Sequence, residues 1–191
     1  MKKAFVIGIS GGSASGKTTF ANNLKKALCN MDVFVIHMDS YFKPQEQRPY
    51  SEAPITGVMY VDNNHPLTID LPKLERDLSD AAICGKYQVV IVEGLFTLWD
   101  KNIYNQLDMK LFVECRADER IVRRLKRYIE WGETLEVISN TYLDLVRYRH
   151  DEYVEPFKWR ADLIINGSNS SDTALRLIVT YVKIDIVQRF Y

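Results

Sequence analysis

Residues 11–18 have the spacing G-x-x-x-x-G-K-[ST] and lie between an apolar run and a helix-like segment. The glycines allow a tight turn whose backbone N–H groups face a polyphosphate, and a helix that begins near Lys17 adds the positive end of its dipole. In such a loop the lysine reaches the β- and γ-phosphates, and the hydroxyl of Thr18 binds Mg²⁺. An ordinary Gly- and Ser-rich turn rarely has all these positions and both flanks. The sequence therefore predicts a nucleoside triphosphate site formed by Gly11, Gly12, Ser13, Ala14, Ser15, Gly16, Lys17, Thr18 and Thr19.

Two carboxylates follow apolar runs that are typical of buried strands. Asp39 comes two residues after the run 33–37, and Glu93 closes the run 89–92. An aspartate at this place could accept a proton from a substrate hydroxyl or hold Mg²⁺ through water, although a turn or a helix cap is the alternative. A glutamate that ends an all-apolar strand is costly to bury without a partner, which favours a role in a metal shell. The expected metal ligands are therefore Thr18, Glu93 and Asp39.

Several arginines occur in the segment 118–131, which is predicted to be a helix. Four of them are spaced i, i+3, i+4 and i+7 and therefore share one helix face. They are Arg120, Arg123, Arg124 and Arg127. Together they could close over a transferred phosphate as a lid and stabilise the charge that develops in the transition state. Solvation, or pairing with acidic neighbours on the same helix, is the alternative.

The apolar periodicity predicts five buried strands that alternate with helices. The strands are 4–9, 33–37, 89–92, 110–113 and 162–165, and the helices are 17–29, 71–84, 118–131, 135–153 and 172 to about 188. This alternation is typical of an α/β protein with a five-stranded parallel sheet and helices on both faces. Ligands in such sheets bind beyond the carboxyl ends of the strands. The phosphate loop, Asp39 and Glu93 follow three of these strands, so we expect them to meet at that edge.

The segment 44–66 contains four prolines and has no clean period, which predicts a long loop over the edge of the sheet. Loops of this length are usually functional or disordered. Candidate substrate contacts in and before this loop are Asp39, Tyr41, Phe42, Asn64 and His65. The rings of Tyr50 and Tyr60 could add a stacking surface. A histidine before proline is, however, more often a turn residue than a base.

Length and composition limit the other functions that the chain could have. Its 191 residues fit a single domain, 1–191, and 25 basic residues balance 25 acidic ones, so no basic field favours nucleic acid or an anionic membrane. A small-molecule partner is the expectation. The three cysteines show no C-x-x-C spacing, which argues against zinc and disulfides. No apolar run is typical of a signal peptide or a membrane span, so we expect a cytoplasmic protein.

The order of these motifs along nearly the whole chain resembles the uridine kinase and phosphoribulokinase family of P-loop small-molecule kinases. The motifs are 8–18 (GISGGSASGKT), 38–43 (MDSYFK), His65-Pro66 with Asp70, 92–95 (VEGL), 118–127 (DERIVRRLKR), 153–158 (YVEPFK) and 161–165 (ADLII). A phosphate loop alone occurs in many families, whereas this ordered series is far more specific.

The resemblance implies a P-loop NTPase fold and an activity. The activity is phosphorylation of a primary hydroxyl with ATP or GTP and Mg²⁺, usually the 5′-hydroxyl of a ribonucleoside. The catalytic residues that it implies are Asp39 as general base, Lys17 as the bridge between phosphates, and Arg124 and Arg127 as the cations of a lid at about 118–150. Thr18 and Glu93 serve Mg²⁺ under the same resemblance. Homo-oligomers are a further family expectation.

Three departures from the family bear on the lid and on the acceptor. Trp131 and Glu133 stand where further lid cations are expected. Asn64 replaces an acidic residue that holds the ribose hydroxyls in uridine kinases. The segment 84–88 joins the second helix to the third strand directly, without the hairpin that forms the pyrimidine pocket in uridine kinases. Other acceptors therefore stay open, among them nicotinamide riboside, a sugar phosphate and pantothenate.

Two functions of other classes are alternatives. A GTPase switch needs a base-reading N-K-x-D segment, which the sequence lacks. A nucleotide-binding regulator with weak catalysis would fit the reduced set of lid cations. Turnover that depends on Asp39 distinguishes an enzyme from such a regulator.

Overall fold

The computed structural model describes residues 3–169 and 171–190. Five parallel strands form the main sheet in the order β2-β5-β1-β6-β7. The remaining two strands, β3 and β4, lie between β2 and β5 in the chain and form a separate antiparallel hairpin. In chain order the described strands are β1 (Phe5–Gly11), β2 (Val33–His37), β3 (Tyr50–Glu52), β4 (Met59–Val61), β5 (Val89–Glu93), β6 (Met109–Glu114) and β7 (Leu163–Asn166). The predicted α/β architecture with a five-stranded parallel sheet is confirmed.

Helices connect the strands of the main sheet. They are α1 (Lys17–Ala27), α2 (Leu71–Ile83), α3 (Lys101–Tyr104), α4 (Ala117–Glu130), α5 (Leu135–Thr141), α6 (Arg147–Tyr153) and α7 (Asp172–Phe190). A π-helical turn, Tyr142–Val146, joins α5 to α6, and a 3-10 turn, Met38–Tyr41, follows β2.

Both faces of the sheet are covered by helices. Side chains alternate between the two faces along a strand, so each buried strand contributes to an apolar cluster on either side. On β5, Val89 and Ile91 pack in one apolar cluster together with Leu24 of α1 and Ile178 of α7. The intervening residues of β5 pack in a second cluster beneath α2. All five residues of β5 are buried, as expected for a strand covered on both sides. The two layers of helices therefore fix the sheet whose upper edge carries the site.

The structure corrects two details of the sequence prediction. The segment 44–66 is not entirely loop: β3 and β4 pair within it, with Tyr50 opposite Val61. Strands of three residues are too short to show a period, and the turn between them closes at Gly57, whose φ of +69° suits glycine. The predicted helix 135–153 is interrupted by the π-helical turn, which apolar spacing alone does not reveal.

The strand order determines where the site lies. β1 is the central strand, flanked by β5 and β6, and β2 lies beyond β5. The carboxyl ends of β1, β5 and β2 are therefore neighbours, and they lead into the phosphate loop, Glu93 and the turn that carries Asp39. Within the described residues, no helix has the length and apolar character needed to cross a membrane.

Candidate active site

The phosphate loop connects β1 to α1 through backbone conformations that few residues adopt. Gly16 has a φ of +99°, and Ala14, with a φ of +62°, is the one non-glycine residue in the described chain with a positive φ. The left-handed conformation costs an alanine about 1 kcal/mol, and such strain clusters at ligand sites. The amide of Ser15 donates to the carbonyl of Gly12 at 3.0 Å, which closes the loop.

Close packing holds this loop against α4 and α6. A Cβ atom at Gly12 would lie 2.6 Å from Nη1 of Arg120 and 3.0 Å from Cε1 of His150. Burial, and then the charge of Arg120, lowers the pKa of His150 to about 4, so its ring is neutral at pH 7. The loop is thus fixed by the predicted lid helix as well as by its own turn.

The predicted metal ligands Thr18 and Glu93 lie together, and His37 lies beside them. The hydroxyl of Thr18 donates to the carboxylate of Glu93, at 3.2 Å from Oε1 and 3.1 Å from Oε2. Glu93 is only 2% exposed, and Nδ1 of His37 lies 2.8 Å from its Oε1. The structure therefore brings the predicted pair Thr18 and Glu93 together and adds a histidine that the sequence did not single out.

These groups suit Mg²⁺. Magnesium prefers oxygen ligands and usually takes one or two from the protein, with water and substrate phosphates completing the shell. A buried carboxylate beside a hydroxyl meets that need, and the part of the chain that is described has no cluster of three or more His, Cys, Asp or Glu residues able to hold a metal alone. A metal bound jointly by protein and nucleotide fits this arrangement.

The two predicted lid cations contact the phosphate loop directly. Nη1 of Arg124 donates to Oγ of Ser13 at 3.1 Å, and Nη2 of Arg127 donates to the same oxygen at 3.3 Å. Burial, together with neighbouring Arg127, lowers the pKa of Arg124, but a guanidinium stays charged at neutral pH. Neither arginine forms an ion pair with a carboxylate of the described residues. Both are therefore free to bind an anion at the loop.

Aromatic rings support these two arginines. The guanidinium carbon of Arg124 lies 4.3 Å from the ring centre of Tyr128, and that of Arg127 lies 5.2 Å from the ring of Trp131. A cation over an aromatic face is attracted by the negative charge density of the ring. Trp131, which departs from the family pattern, thus supports one of the two predicted lid cations instead of supplying another. Glu133 is exposed and lies beyond the end of α4.

A cavity lies between the phosphate loop, α1 and the loop that follows β7. It has a volume of about 540 Å³ and is lined by Gly16, Thr19, Phe20, Arg123 and the loop after β7, which includes Asn166, Gly167 and Ser168. Nη1 of Arg123 donates to the carbonyl of Gly167 at 2.9 Å. The sequence prediction did not include this region. The Gly-Ser sequence after the last strand, at the ligand edge of the sheet, was the available signal.

Asp39, the predicted general base, lies in the 3-10 turn after β2. Asp39 is exposed, and its carboxylate forms neither a hydrogen bond nor an ion pair with any residue in the described ranges. A cap or turn role for its side chain is therefore not seen. The neighbouring hydroxyl of Tyr41 donates to Asp77 of α2 at 2.8 Å, and burial together with this bond raises the pKa of Tyr41 to about 12. Phe42 bridges to Ile69 and packs on the core.

Asn64 and His65, which are predicted substrate contacts, lie between β4 and the 3-10 turn that begins at Pro66. Asn64 lines a small cavity beside Ser13, together with Leu95, Arg149 and His150. Nδ1 of His65 accepts a hydrogen bond from the amide of Leu67 at 3.1 Å, which starts the 3-10 turn at Pro66. Burial lowers the pKa of His65. His65 therefore has the contacts of a turn residue, while Asn64 faces the site.

Three polar contacts join the β3–β4 hairpin region to the helices of the predicted lid, and one of them runs from the hydroxyl of Thr56 to Asp144 at 3.1 Å. Asp62, which is fully buried, accepts a hydrogen bond from Nε of Arg149 on α6 at 2.6 Å. The hydroxyl of Tyr60 donates to Asp144 in the π-helical turn at 2.8 Å. The hairpin region and the helices of the predicted lid are therefore joined, which the sequence did not predict.

The fold and the phosphate loop together define a P-loop nucleotide-binding protein of the kinase type. The model of the Phosphoribulokinase / Uridine kinase family matches residues 6–81 and 63–174. The uridine kinase of Geobacillus sp. (strain WCH70) is 32% identical over 213 residues, covering 100% of this chain and 99% of the relative. The uridine kinase of Staphylococcus aureus (strain JH9) is 34% identical over 206 residues, covering 96% of this chain and 97% of the relative.

A solved structure described as a possible uridine kinase from Bacillus stearothermophilus has a similar fold. It superposes with a TM-score of 0.60 at 19% identity, covering 86% of this chain and 89% of that one. The chain belongs to the phosphoribulokinase/uridine kinase family and is a P-loop small-molecule kinase. The alignment with the Geobacillus relative spans 213 residues although this chain has 191, so the relative has segments that this chain lacks.

Proposed function

We propose that this kinase transfers the γ-phosphoryl group of ATP or GTP to the primary hydroxyl of a ribonucleoside or a related small molecule. The observation that carries the proposal is the convergence on one phosphate loop. Ser13 of that loop contacts Arg124 and Arg127, and Thr18 at its other end contacts Glu93. Cations and metal ligands on both sides of a polyphosphate site are the parts that phosphoryl transfer needs.

On the donor side, the backbone of the phosphate loop and the buried Lys17 hold the nucleotide phosphates. Thr18 and Glu93 hold Mg²⁺, which when bound neutralises part of the phosphate charge. Arg124 and Arg127 exchange the hydroxyl of Ser13 for phosphate oxygens. They then stabilise the charge that develops on the transferred group.

On the acceptor side, Asp39 acts as the general base. Its exposed carboxylate has no partner in the described chain and can accept a proton from the attacking hydroxyl. The hydroxyl oxygen bonds to the γ-phosphorus, the bond from that phosphorus to the β–γ bridging oxygen breaks, and the nucleoside diphosphate leaves. Tyr41, Phe42, Asn64 and His65 stand as proposed neighbours of the acceptor, of which Asn64 lines the cavity beside the loop.

Two observations bear on the identity of the acceptor, and they favour different molecules. The curated relatives are named uridine kinases, which supports a ribonucleoside. However, α2 ends at Ile83 and β5 begins at Val89, so no hairpin stands between them to hold a pyrimidine. This short link favours an acceptor without strict base recognition, such as nicotinamide riboside, a sugar phosphate or pantothenate.

Self-association is part of the proposal. The outer face of α7 exposes Leu177, Tyr181 and Ile184, which are spaced i, i+4 and i+7. An apolar stripe on a surface helix is typical of an interface. Light scattering of the purified protein at several concentrations would measure whether homo-oligomers form.

The test of the proposed function is Mg²⁺-dependent nucleotide consumption against a panel of acceptors. The panel contains ribonucleosides, nicotinamide riboside, pantothenate and sugar phosphates, and Asp39→Asn is assayed in parallel. We expect one acceptor to stimulate turnover in the wild type and not in Asp39→Asn. Tight nucleotide binding without stimulated turnover for any acceptor would instead support a nucleotide-binding regulator.

A further inference from the structure

A histidine at the end of β2 faces the carboxylate on the metal side. His37 and Glu93 are directly opposite each other in the parallel pairing of β2 with β5. Nδ1 of His37 lies 2.8 Å from Oε1 of Glu93. An ionised carboxylate can only accept hydrogen bonds, so Nδ1 must carry the proton and donate it. The tautomer of His37 is thereby fixed by its partner.

The two partners differ in exposure, and the buried one, Glu93, is the one that depends on the contact. The side chain of Glu93 is 3% exposed, whereas that of His37 is 38% exposed. No lysine or arginine of the described residues pairs with Glu93, so the two side chains that satisfy it are His37 and Thr18. A buried carboxylate needs such donors, and without one it would lose both its solvation and its fixed orientation.

We propose that His37 is a positioning residue for the metal of this kinase. It holds Glu93 in the orientation that receives the Thr18 hydroxyl and thereby sets the two oxygen ligands of Mg²⁺. This inference rests on the proposed function of the same site. Removal of a partner that orients a metal ligand typically lowers metal affinity by about 10–100-fold.

The contact has a second consequence for the site. His37 is the last residue of β2, and Asp39 follows two residues later in the 3-10 turn. The bond from His37 to Glu93 therefore joins the strand that leads to the general base with the strand that ends at the metal. His37 itself touches no reacting atom, so its role is to position and not to react.

The test measures metal-dependent binding without turnover. Calorimetry gives the affinity of ADP with and without Mg²⁺ for the wild type, His37→Leu, His37→Asn and the control Phe34→Leu. The Asn amide nitrogen can occupy the place of Nδ1, whereas Leu offers no donor. Phe34 is exposed on the same strand and stacks on Tyr87, away from Glu93.

We expect Mg²⁺-free ADP to bind all four proteins alike. The gain in affinity from Mg²⁺ should fall about 10–100-fold in His37→Leu and be largely restored in His37→Asn. In a Glu93→Gln background, His37→Leu should have little further effect, because its action passes through that carboxylate. Thermal unfolding of each variant measures whether the fold is intact.

The results separate this inference from the proposed function. An unchanged Mg²⁺ gain in folded His37→Leu would overturn the role of His37 and leave the kinase proposal in place. Additive effects of the His37 and Glu93 substitutions would also overturn it. If the wild type gains no ADP affinity from Mg²⁺, both the positioning role and the metal-dependent mechanism are wrong.

Discussion

The two sides of the proposed active site are held in different ways. On the phosphate side, Lys17, Glu93 and Arg124 are buried, and their neighbours come from the central strands and from α4. On the acceptor side, Asp39 is exposed, and the hairpin presents Tyr50 and Met59 to solvent. The groups proposed to act on the phosphates are thus fixed by the sheet and α4, while those proposed to select an acceptor are Asp39 and residues on or near a hairpin joined to α6 and the π-helical turn by a few polar contacts.

This difference implies that the residues which carry out the transfer and those which select the acceptor can change independently. A rigid scaffold with a variable loop lets a fold keep one reaction and change its substrate. Substitutions on the phosphate side should therefore change turnover with any acceptor. Those on the acceptor side should change stability or acceptor use and leave nucleotide binding intact.

The largest effect is expected for Asp39→Asn. Loss of the general base should lower kcat by about 10²–10⁴-fold, while nucleotide affinity stays the same because the carboxylate lies on the acceptor side. Steady-state kinetics and calorimetry measure the two quantities. Asp32→Asn, an exposed carboxylate just before the opposite end of β2, is the matched control. Equal turnover in wild type and Asp39→Asn would show that Asp39 is not the base.

Arg124→Met tests the phosphate side. If the guanidinium acts mainly on the transition state, kcat should fall roughly ten- to a thousandfold with a modest change in nucleotide affinity. Arg116→Met is the control, because Arg116 is exposed at the start of the same helix and pairs with Asp118. A loss confined to nucleotide affinity would mean that Arg124 binds only the ground state.

Arg149→Met tests how the acceptor side is fastened. It leaves the buried carboxylate of Asp62 without its cation, which should lower the free energy of unfolding by about 3 kcal/mol. Urea unfolding measures the loss, and the double variant Asp62→Asn/Arg149→Met should recover much of it. ADP affinity should stay unchanged in both. A matching loss of ADP affinity would show that the two sides do not act separately.

The smallest effect is expected for Trp131→Ala. Its ring supports the guanidinium of Arg127, and an exposed cation–π contact is worth about 0.5–1 kcal/mol. A two- to fivefold drop in kcat corresponds to roughly that energy. The control is Trp159→Ala, another strongly exposed tryptophan, which lies outside the proposed site. Identical kcat values for the two variants would remove Trp131 from the lid.

Much of the phosphate side could be predicted from sequence, because its residues are defined by local spacing. The phosphate loop is contiguous in the chain, and Glu93 is marked by the apolar strand that it ends. The strand–helix alternation likewise gave the parallel sheet, whose ligand edge is a general property of the fold. Strand order was not available from these patterns, because pairing between distant strands leaves no local period.

The contacts that the sequence did not reveal join residues far apart in the chain. His37 meets Glu93 across 56 positions, and Arg149 meets Asp62 across 87. The hairpin depends on pairing of two three-residue strands, and Arg123 reaches the loop after β7. Each of these contacts depends on which strands and helices become neighbours in the tertiary structure. No local pattern in the sequence predicts them. The assignment of substrate contacts to Asp39, Tyr41, Phe42, Asn64 and His65 stays a prediction.

The contacts of Arg124 and Arg127 with Ser13 also affect the entropy of ligand binding. Long arginine side chains are free to rotate in solution, and immobilising such a side chain costs about 0.5–1.5 kcal/mol. Here both guanidinium groups are held on the hydroxyl of the phosphate loop and over the ring of Tyr128. Part of the ordering that a polyphosphate would impose is therefore completed when the chain folds, and more of the interaction energy is retained as affinity.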